Sequence, residues 1–479
     1  MIYTKWFAML GILFPILGFA ASAPEEADPI TFVLINVTGI FFFAILGRYL
    51  ARRLKQPSVL GELLIGVVLG NIFYHYGYPL LALLREGSAT FEVVKEMLHG
   101  MTAEQAVAQV IPRAQDAQQV LVALQSPHGA DYLKIAYVVD IFSRYGVIFL
   151  LFMVGMESSL EDLKRSGKDS TRVAILGVLA PMGLGFLTAY LLMPEASYQA
   201  DLFIAATLSA TSIGITARVL AEMKKLQTGE ARTILGAAML DDVLGLIILA
   251  VVSSIVINGA VDFTVVLRII VSSVMFFVTA LLLGPILLRH AVTFFRFLEP
   301  WEAKLFISFL FIMFLSWLAS FMQLATIIGA FTAGIILHEE YFRQLDKNED
   351  PKRSIYHLLS PLETILAPMF FILIGIQVKL ETFLSWHVVI LASGLLVAAI
   401  IGKIVSGLGA NARSDRLLIG IGMLPRGEVG LVFASIGRSL GVISDDLFSA
   451  IVLMVIVTTF IAPPLLKARY LAQAKRTAL

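Results

Sequence analysis

Cysteine is absent from all 479 residues. Disulfides, thiolate metal sites and thiol chemistry are excluded with it. Histidine is sparse, seven scattered copies, and none falls in an HExxH or similar metal-binding spacing. A surplus of charge is missing too. The formal net charge is +1, which gives no ground for a nucleic-acid partner. No cofactor is expected. What the chain has is apolar residues, 58% of the total, gathered into long runs. That composition belongs to a polytopic membrane protein and not to a soluble globule.

Residues 1–23 read as a signal peptide, with Lys5 as a weak positive start, Trp6 to Gly18 as the apolar core and Ala21-Ser22-Ala23 as the cleavage site. An uncleaved extra helix is the alternative. Thirteen apolar runs follow, at 29–50, 58–76, 133–156, 171–193, 199–221, 230–257, 262–288, 301–322, 324–341, 355–377, 385–410, 414–440 and 444–466. Basic residues gather after alternate runs: Arg48, Arg52, Arg53 and Lys55 after the first, Lys164, Arg165 and Lys168 after the third, Lys224, Lys225 and Arg232 after the fifth. The pattern continues to Lys467 and Arg469. The positive-inside rule then puts the N-terminal tail outside and the C-terminus in the cytoplasm. Residues 80–132 interrupt the runs on the outer side. From Glu92 to Gln125 they are patterned for one or two amphipathic helices.

The runs repeat. Leu60-Gly61-Glu62 with Ile65-Gly66 in the second resembles Ile328-Gly329-Ala330 with Ala333-Gly334 in the ninth. Val154-Gly155-Met156 in the third resembles Ile374-Gly375-Ile376 in the tenth, and Ile213-Gly214-Ile215 in the fifth resembles Val429-Gly430-Leu431 in the twelfth. Paired runs lie an odd number of crossings apart, so they cross in opposite directions. An inverted-topology repeat of this kind is a signature of secondary transporters.

Asp241 and Asp242 sit well inside the sixth run. A carboxylate at the centre of a span costs roughly 2.5–3.5 kcal/mol on insertion scales, so two together point to a bound cation or proton. Neighbours on a helix point about 100° apart, and the two therefore have separate jobs. The competing reading is a pair neutralised by basic residues for folding alone. The fifth run contains Ser209-Ala210-Thr211-Ser212-Ile213-Gly214, and its repeat mate contains Pro425-Arg426-Gly427-Glu428. Small, hydroxylated and proline residues at membrane depth permit unwinding where backbone lines a cavity. Half-helix ends then aim partial charges at that cavity, and Arg426 and Glu428 are placed to meet them. Lys403 lies in the eleventh run, roughly 10 Å from its end by helix rise. It either snorkels to the interface or pairs with one of the aspartates. Asp140 and Arg144, four apart, read as a local pair.

These residues resemble the monovalent cation:proton antiporters, above all the bacterial sodium/proton antiporters with thirteen spans. The resemblance covers residues 29–466 apart from the insertion. It implies an all-α fold of about thirteen transmembrane helices, with inverted repeats and two broken crossing helices. It implies a homodimer in the bacterial inner membrane, surrounded by lipid, that exchanges Na+ or Li+ for H+. Asp242 is then the ion and proton carrier, Asp241 the partner of Lys403, Thr211 and Ser212 part of the Na+ site, and Arg426 and Glu428 its support. The helices at 171–257 and 385–466 form a transport bundle, those at 29–76, 133–156 and 301–377 a scaffold, and 262–288 the connection. The potassium-efflux branch has a neutral residue before a single aspartate, where this chain has Asp241. A K+/H+ antiporter and an organic-anion symporter on the same fold are the alternatives.

Overall fold

The computed structural model describes residues 29–477, apart from 55, 112, 157–159, 195, 259–262, 344–352, 382–384, 427–429, 431, 432, 435, 438 and 439. The expected signal peptide and Glu428 lie outside the described residues. All regular structure among the described residues is helical. In order, the α-helices are α1 (Pro29–Arg53), α2 (Ser58–His75), α3 (Pro79–Glu86), α4 (Ser88–Leu98), α5 (Ala103–Val110), α6 (Ala114–Gln125), α7 (Gly129–Met156), α8 (Leu160–Leu192) and α9 (Tyr198–Ser209). They continue with α10 (Ile213–Glu222), α11 (Gly229–Asn258), α12 (Phe263–Phe294), α13 (Pro300–Phe321), α14 (Thr326–Ile336), α15 (Ile355–Ile376), α16 (Trp386–Ser406), α17 (Arg416–Gly422) and α18 (Asp445–Thr477).

Among the described residues, eleven stretches of helix are long and apolar enough to cross a membrane, α9 and α10 counting as one. The other two of the thirteen runs hold no helix of that length among the described residues. The run at 324–341 holds only the 11 helical residues of α14, followed by extended Leu337 and a 3-10 turn at Glu339–Phe342. The run at 414–440 opens with the seven residues of α17, after which residues 424–426 are not helical.

The chain forms two compact units. One comprises the described residues up to Gly146 with Ile365–Leu380; the other comprises Val147–Thr364 with Glu381 onward. In the first unit the insertion holds α3 to α6; the stretch Glu92–Gln125, expected to form one or two helices, carries most of α4 and all of α5 and α6. Gly87, at φ 56, ends α3, a conformation that favours glycine. Thr102 starts α5 by exchanging bonds with Gln105, a capping box that the hydrophobic pattern alone does not reveal. Leu80, Leu83, Val93, Val107 and Val120 of these helices share a core with α1, α2 and the end of α15. A buried charged cluster adds to it. Lys379 Nζ lies 2.6 Å from Asp116 Oδ2 and 2.5 Å from Glu86 Oε1. The Tyr74 hydroxyl donates to Asp116 Oδ1, and the Arg85 guanidinium lies 3.7 Å over the Tyr74 ring. Burial opposes ionisation of Asp116, yet Lys379 and Tyr74 outweigh it and hold its carboxyl below the ordinary carboxylate range.

Two helix crossings, one in each unit, carry the repeat. A Cβ on Gly66 would strike the Ile372 carbonyl, and one on Gly375 the Leu63 carbonyl. In the other unit a Cβ on Gly334 would strike the Phe152 carbonyl, and one on Gly155 the Phe331 carbonyl. Each glycine meets the carbonyl three residues before its partner, in the same reciprocal pattern. The matched sequence segments thus make matched backbone contacts, which only glycine permits at this separation.

The second unit holds α8 to α14 and α16 to α18. Several of its helices start on designed caps: Ser197 accepts from Ala200 N at 3.2 Å and Asp415 from Leu418 N at 3.0 Å. Pro181 lies inside α8, and Gly402 of α16 packs against it so closely that a Cβ would come 2.6 Å from Pro181 Cα. Arg218 of α10 is buried between Glu222 on its own helix and Glu363 of α15. Asp140 and Arg144 pair locally at 2.7 Å, as expected.

Candidate functional site

The site grows out of the end of α9. An α-helix leaves its last carbonyls without backbone donors and carries partial negative charge there. Residues 210–212 are not helical, and α10 resumes at Ile213. Three donors take the freed carbonyls. Ser209 Oγ donates to Ala206 O at 2.7 Å. Lys403 Nζ donates to Ser209 O at 2.6 Å. Arg426 Nη1 donates to Ala210 O at 2.5 Å. Two side-chain cations thus face the negative end of one half-helix.

The non-helical segments at 210–212 and 424–426 meet. Ser212 N donates to Pro425 O at 2.8 Å, and Thr216 Oγ1 donates to Gly422 O at 2.7 Å. Thr459 of α18 donates its hydroxyl to the Arg426 carbonyl. Backbone groups that two continuous helices would satisfy internally are here satisfied across the junction.

Asp241 and Asp242 come to this junction on α11. Asp241 is 1% exposed and Lys403 0%. Lys403 Nζ lies 3.5 Å from Asp241 Oδ1. Lys403 therefore pairs inside the protein and does not snorkel. Asp242, 9% exposed, is close enough to Lys403 for their charges to interact, and Arg426 is close enough to Asp241. Thr211 lies beside Asp241. Thr211 Oγ1 and Asp241 Oδ2 are buried with no aligned hydrogen-bond partner among the described residues. Uncommitted buried oxygen atoms are the atoms a hard cation takes as ligands.

Of the residues singled out from the sequence, the structure brings Asp241, Asp242, Lys403, Thr211, Ser212 and Arg426 together. Sequence reasoning missed the carbonyls of Ser209 and Ala210 and the hydroxyl of Thr459. Every residue has a carbonyl, so nothing in residue type marks the first two. Thr458-Thr459 within an apolar run was a readable signal for the third.

A helical membrane protein with an interrupted helix and paired carboxylates against a buried lysine has the form of a secondary transporter and not of an enzyme. The family follows from comparison. Residues 39–468 match the family described as "Sodium/hydrogen exchanger, transmembrane", and the chain belongs to that family. It is 36% identical over 481 residues to the High-affinity Na(+)/H(+) antiporter NhaS3 of Synechocystis, covering 98% of this chain and 97% of that protein. It is 30% identical over 440 residues to the Na(+)/H(+)-K(+) antiporter GerN of Bacillus cereus, covering 89% and 93%. The fold is similar to that of the sodium proton antiporter MjNhaP1 of Methanocaldococcus jannaschii. That match has a TM-score of 0.57 at 16% identity and covers 93% of this chain and 98% of the other.

Proposed function

We propose that the chain exchanges Na+ for H+ across a bacterial inner membrane by alternating access, with Asp242 as the carrier of cation and proton in turn. The observation that carries this reading is the Asp241–Lys403 pair beside Asp242 at the end of a half-helix, with Thr211 Oγ1 and Asp241 Oδ2 uncommitted. Asp242 supplies the negative charge. Thr211, Ser212 and the second aspartate supply further oxygen atoms. Arg426 balances the carbonyl end of the half-helix.

The cycle starts from the paired state, in which Lys403 and Asp241 offset one another's desolvation. A cation arriving at Asp242 draws on Asp241 as well and weakens the pair. Lys403, left without its counter-charge in a dry site, releases its proton. Reprotonation on the other side restores the pair and expels the cation. Two protons, one linked to Asp242 and one to Lys403, then move against one monovalent cation, so exchange is electrogenic. The helices at 171–257 and 385–466 move as the transport bundle against a dimeric scaffold. The N-terminal tail and residues 80–132 face outward and the C-terminus inward. K+ is the second reading for the cation, because a relative 30% identical bears Na(+)/H(+)-K(+) antiporter in its name.

Proteoliposomes with an imposed pH gradient test the reading. Adding Na+, Li+ or K+ should dissipate the gradient in wild type, and Asp242→Asn should abolish the response while the protein still elutes as a folded oligomer. Normal rates in Asp242→Asn would refute the carrier assignment. Wild-type exchange that ignores an imposed membrane potential would refute the two-proton cycle and leave Lys403 a structural brace.

A further inference from the structure

The second unit has a cavity of about 560 Å³ that takes no part in the site described above. Arg172, Ile175 and Leu176 of α8 form one wall. Leu408, in the 3-10 turn Gly407–Gly409 that follows α16, forms another, and Arg416 at the start of α17 closes it. The cavity falls where two apolar runs meet polar chain, at the start of 171–193 and the end of 385–410. Such a position is the level of lipid headgroups in a bilayer.

Its chemistry is divided accordingly. Ile175 is 44% exposed and Leu408 58% exposed, and both present apolar surface outward. The polar end is positive. The Arg172 side chain makes no hydrogen bond or ion pair among the described residues. Arg416 spends only its Nε, donated to Ala410 O at 3.1 Å, so its terminal nitrogens remain for another acceptor. The one acid in the lining, Asp169, already accepts from Asn411 N at 3.1 Å. Two planar guanidinium groups are matched to phosphate oxygen atoms, and apolar side chains beside them are matched to acyl chain. Basic pockets between transmembrane helices at the membrane surface take acidic headgroups, and the volume lies within the range of small-molecule sites.

We propose that this cavity binds the phosphate headgroup of an anionic membrane lipid. Arg172 and Arg416 hold the phosphate, while Ile175 and Leu408 lie along the first methylenes of its chains. The occupant also joins three elements around Lys403. A Cβ on Gly409 would come 2.7 Å from the backbone of Arg172, and one on Gly407 would strike the Arg416 carbonyl. The turn that directly continues α16 is thus pressed between the two arginines, and a bound phosphate tethers it to α8 and α17. The site stands independently of the exchange reaction proposed above.

The test is thermal unfolding and native mass spectrometry of the full-length protein in detergent. Phosphatidylglycerol, phosphatidylcholine and inorganic phosphate are added in separate arms. Wild type should bind and be stabilised by phosphatidylglycerol in preference to phosphatidylcholine. Arg172→Gln, at an exposed position without partners, should weaken that binding roughly ten-fold, the loss of one charge-assisted contact. Arg172→Gln with Arg416→Gln should remove the preference between the two lipids. Leu408→Gln, which keeps both charges, should weaken the lipid and leave inorganic phosphate unaffected. Equal phosphatidylglycerol binding by wild type and Arg172→Gln would overturn the proposal. Equal stabilisation by inorganic phosphate would overturn the lipid as the source of the anion.

Discussion

Replacing Lys403 by glutamine tests the core of the site. The lysine is fully buried and its partner Asp241 nearly so. Removing one member of a buried ion pair leaves the other charge uncompensated, at about 3–5 kcal/mol. Asp241→Asn alone should cost a similar amount, since buried Lys403 would then lose its counter-charge. The double variant, Lys403→Gln with Asp241→Asn, has no orphaned charge. Both amides can still hydrogen-bond, the glutamine to the Ser209 carbonyl. The double should therefore be less destabilised than the sum of the singles by at least about 2 kcal/mol, within the range for contacting residues. Thermal unfolding of the four proteins in one detergent at one pH reads this directly. Strictly additive losses would show that the two charges do not stabilise one another, and would remove the pair from which the proposed cycle starts. Transport should be lost or made electroneutral in the double variant even where its stability returns.

The glycine crossings carry a paired prediction: Gly66→Ala and Gly334→Ala should each cost about 1–3 kcal/mol by overpacking, with similar losses in unfolding temperature. A large loss in one and none in the other would deny their equivalence. Asp116→Asn should lower stability by about 1–3 kcal/mol at neutral pH. Because the folded carboxyl titrates below its unfolded value near 3.9, its contribution is fully present above that value and lost as pH falls through the folded one. The gap between wild type and variant should hold steady above about pH 5 and close in stronger acid; a gap that widens in acid would refute the assignment. A cysteine placed at Ala108, an exposed position in a chain without cysteine, should react with an impermeant thiol reagent from outside intact cells. Labelling only from the cytoplasmic side would reverse the topology.

Much was legible because the membrane leaves few options. A bilayer requires about twenty apolar residues per helix, so the runs stand out, and among the described residues eleven of them are helical over a membrane-spanning length, one with a break. A charge inside such a run is costly, so Asp241, Asp242 and Lys403 were conspicuous without any coordinates. The repeat was visible in Gly66, Gly155, Gly334 and Gly375, because backbone-to-backbone contact admits no other residue. The run at 324–341 was less legible: hydropathy measures burial, and a short helix with extended chain can be as apolar as a full span. The stretch Glu92–Gln125 was misjudged for a local reason, since the Thr102–Gln105 box cuts an amphipathic pattern into shorter pieces.

Only the tertiary structure decided which charges meet. Lys403 and Asp241 are 162 residues apart, and Arg426 reaches Ala210 across 216. No periodicity links such positions, because their separation depends on how whole helices pack. The close approach of Gly402 to Pro181 is a case in point: it sets α16, the helix that carries Lys403, against α8. Nor could residue type reveal that the Ser209 and Ala210 carbonyls are acceptors in the site. A carbonyl becomes available only where a helix stops, and the helix stops there because its freed backbone groups find partners on another segment of the chain.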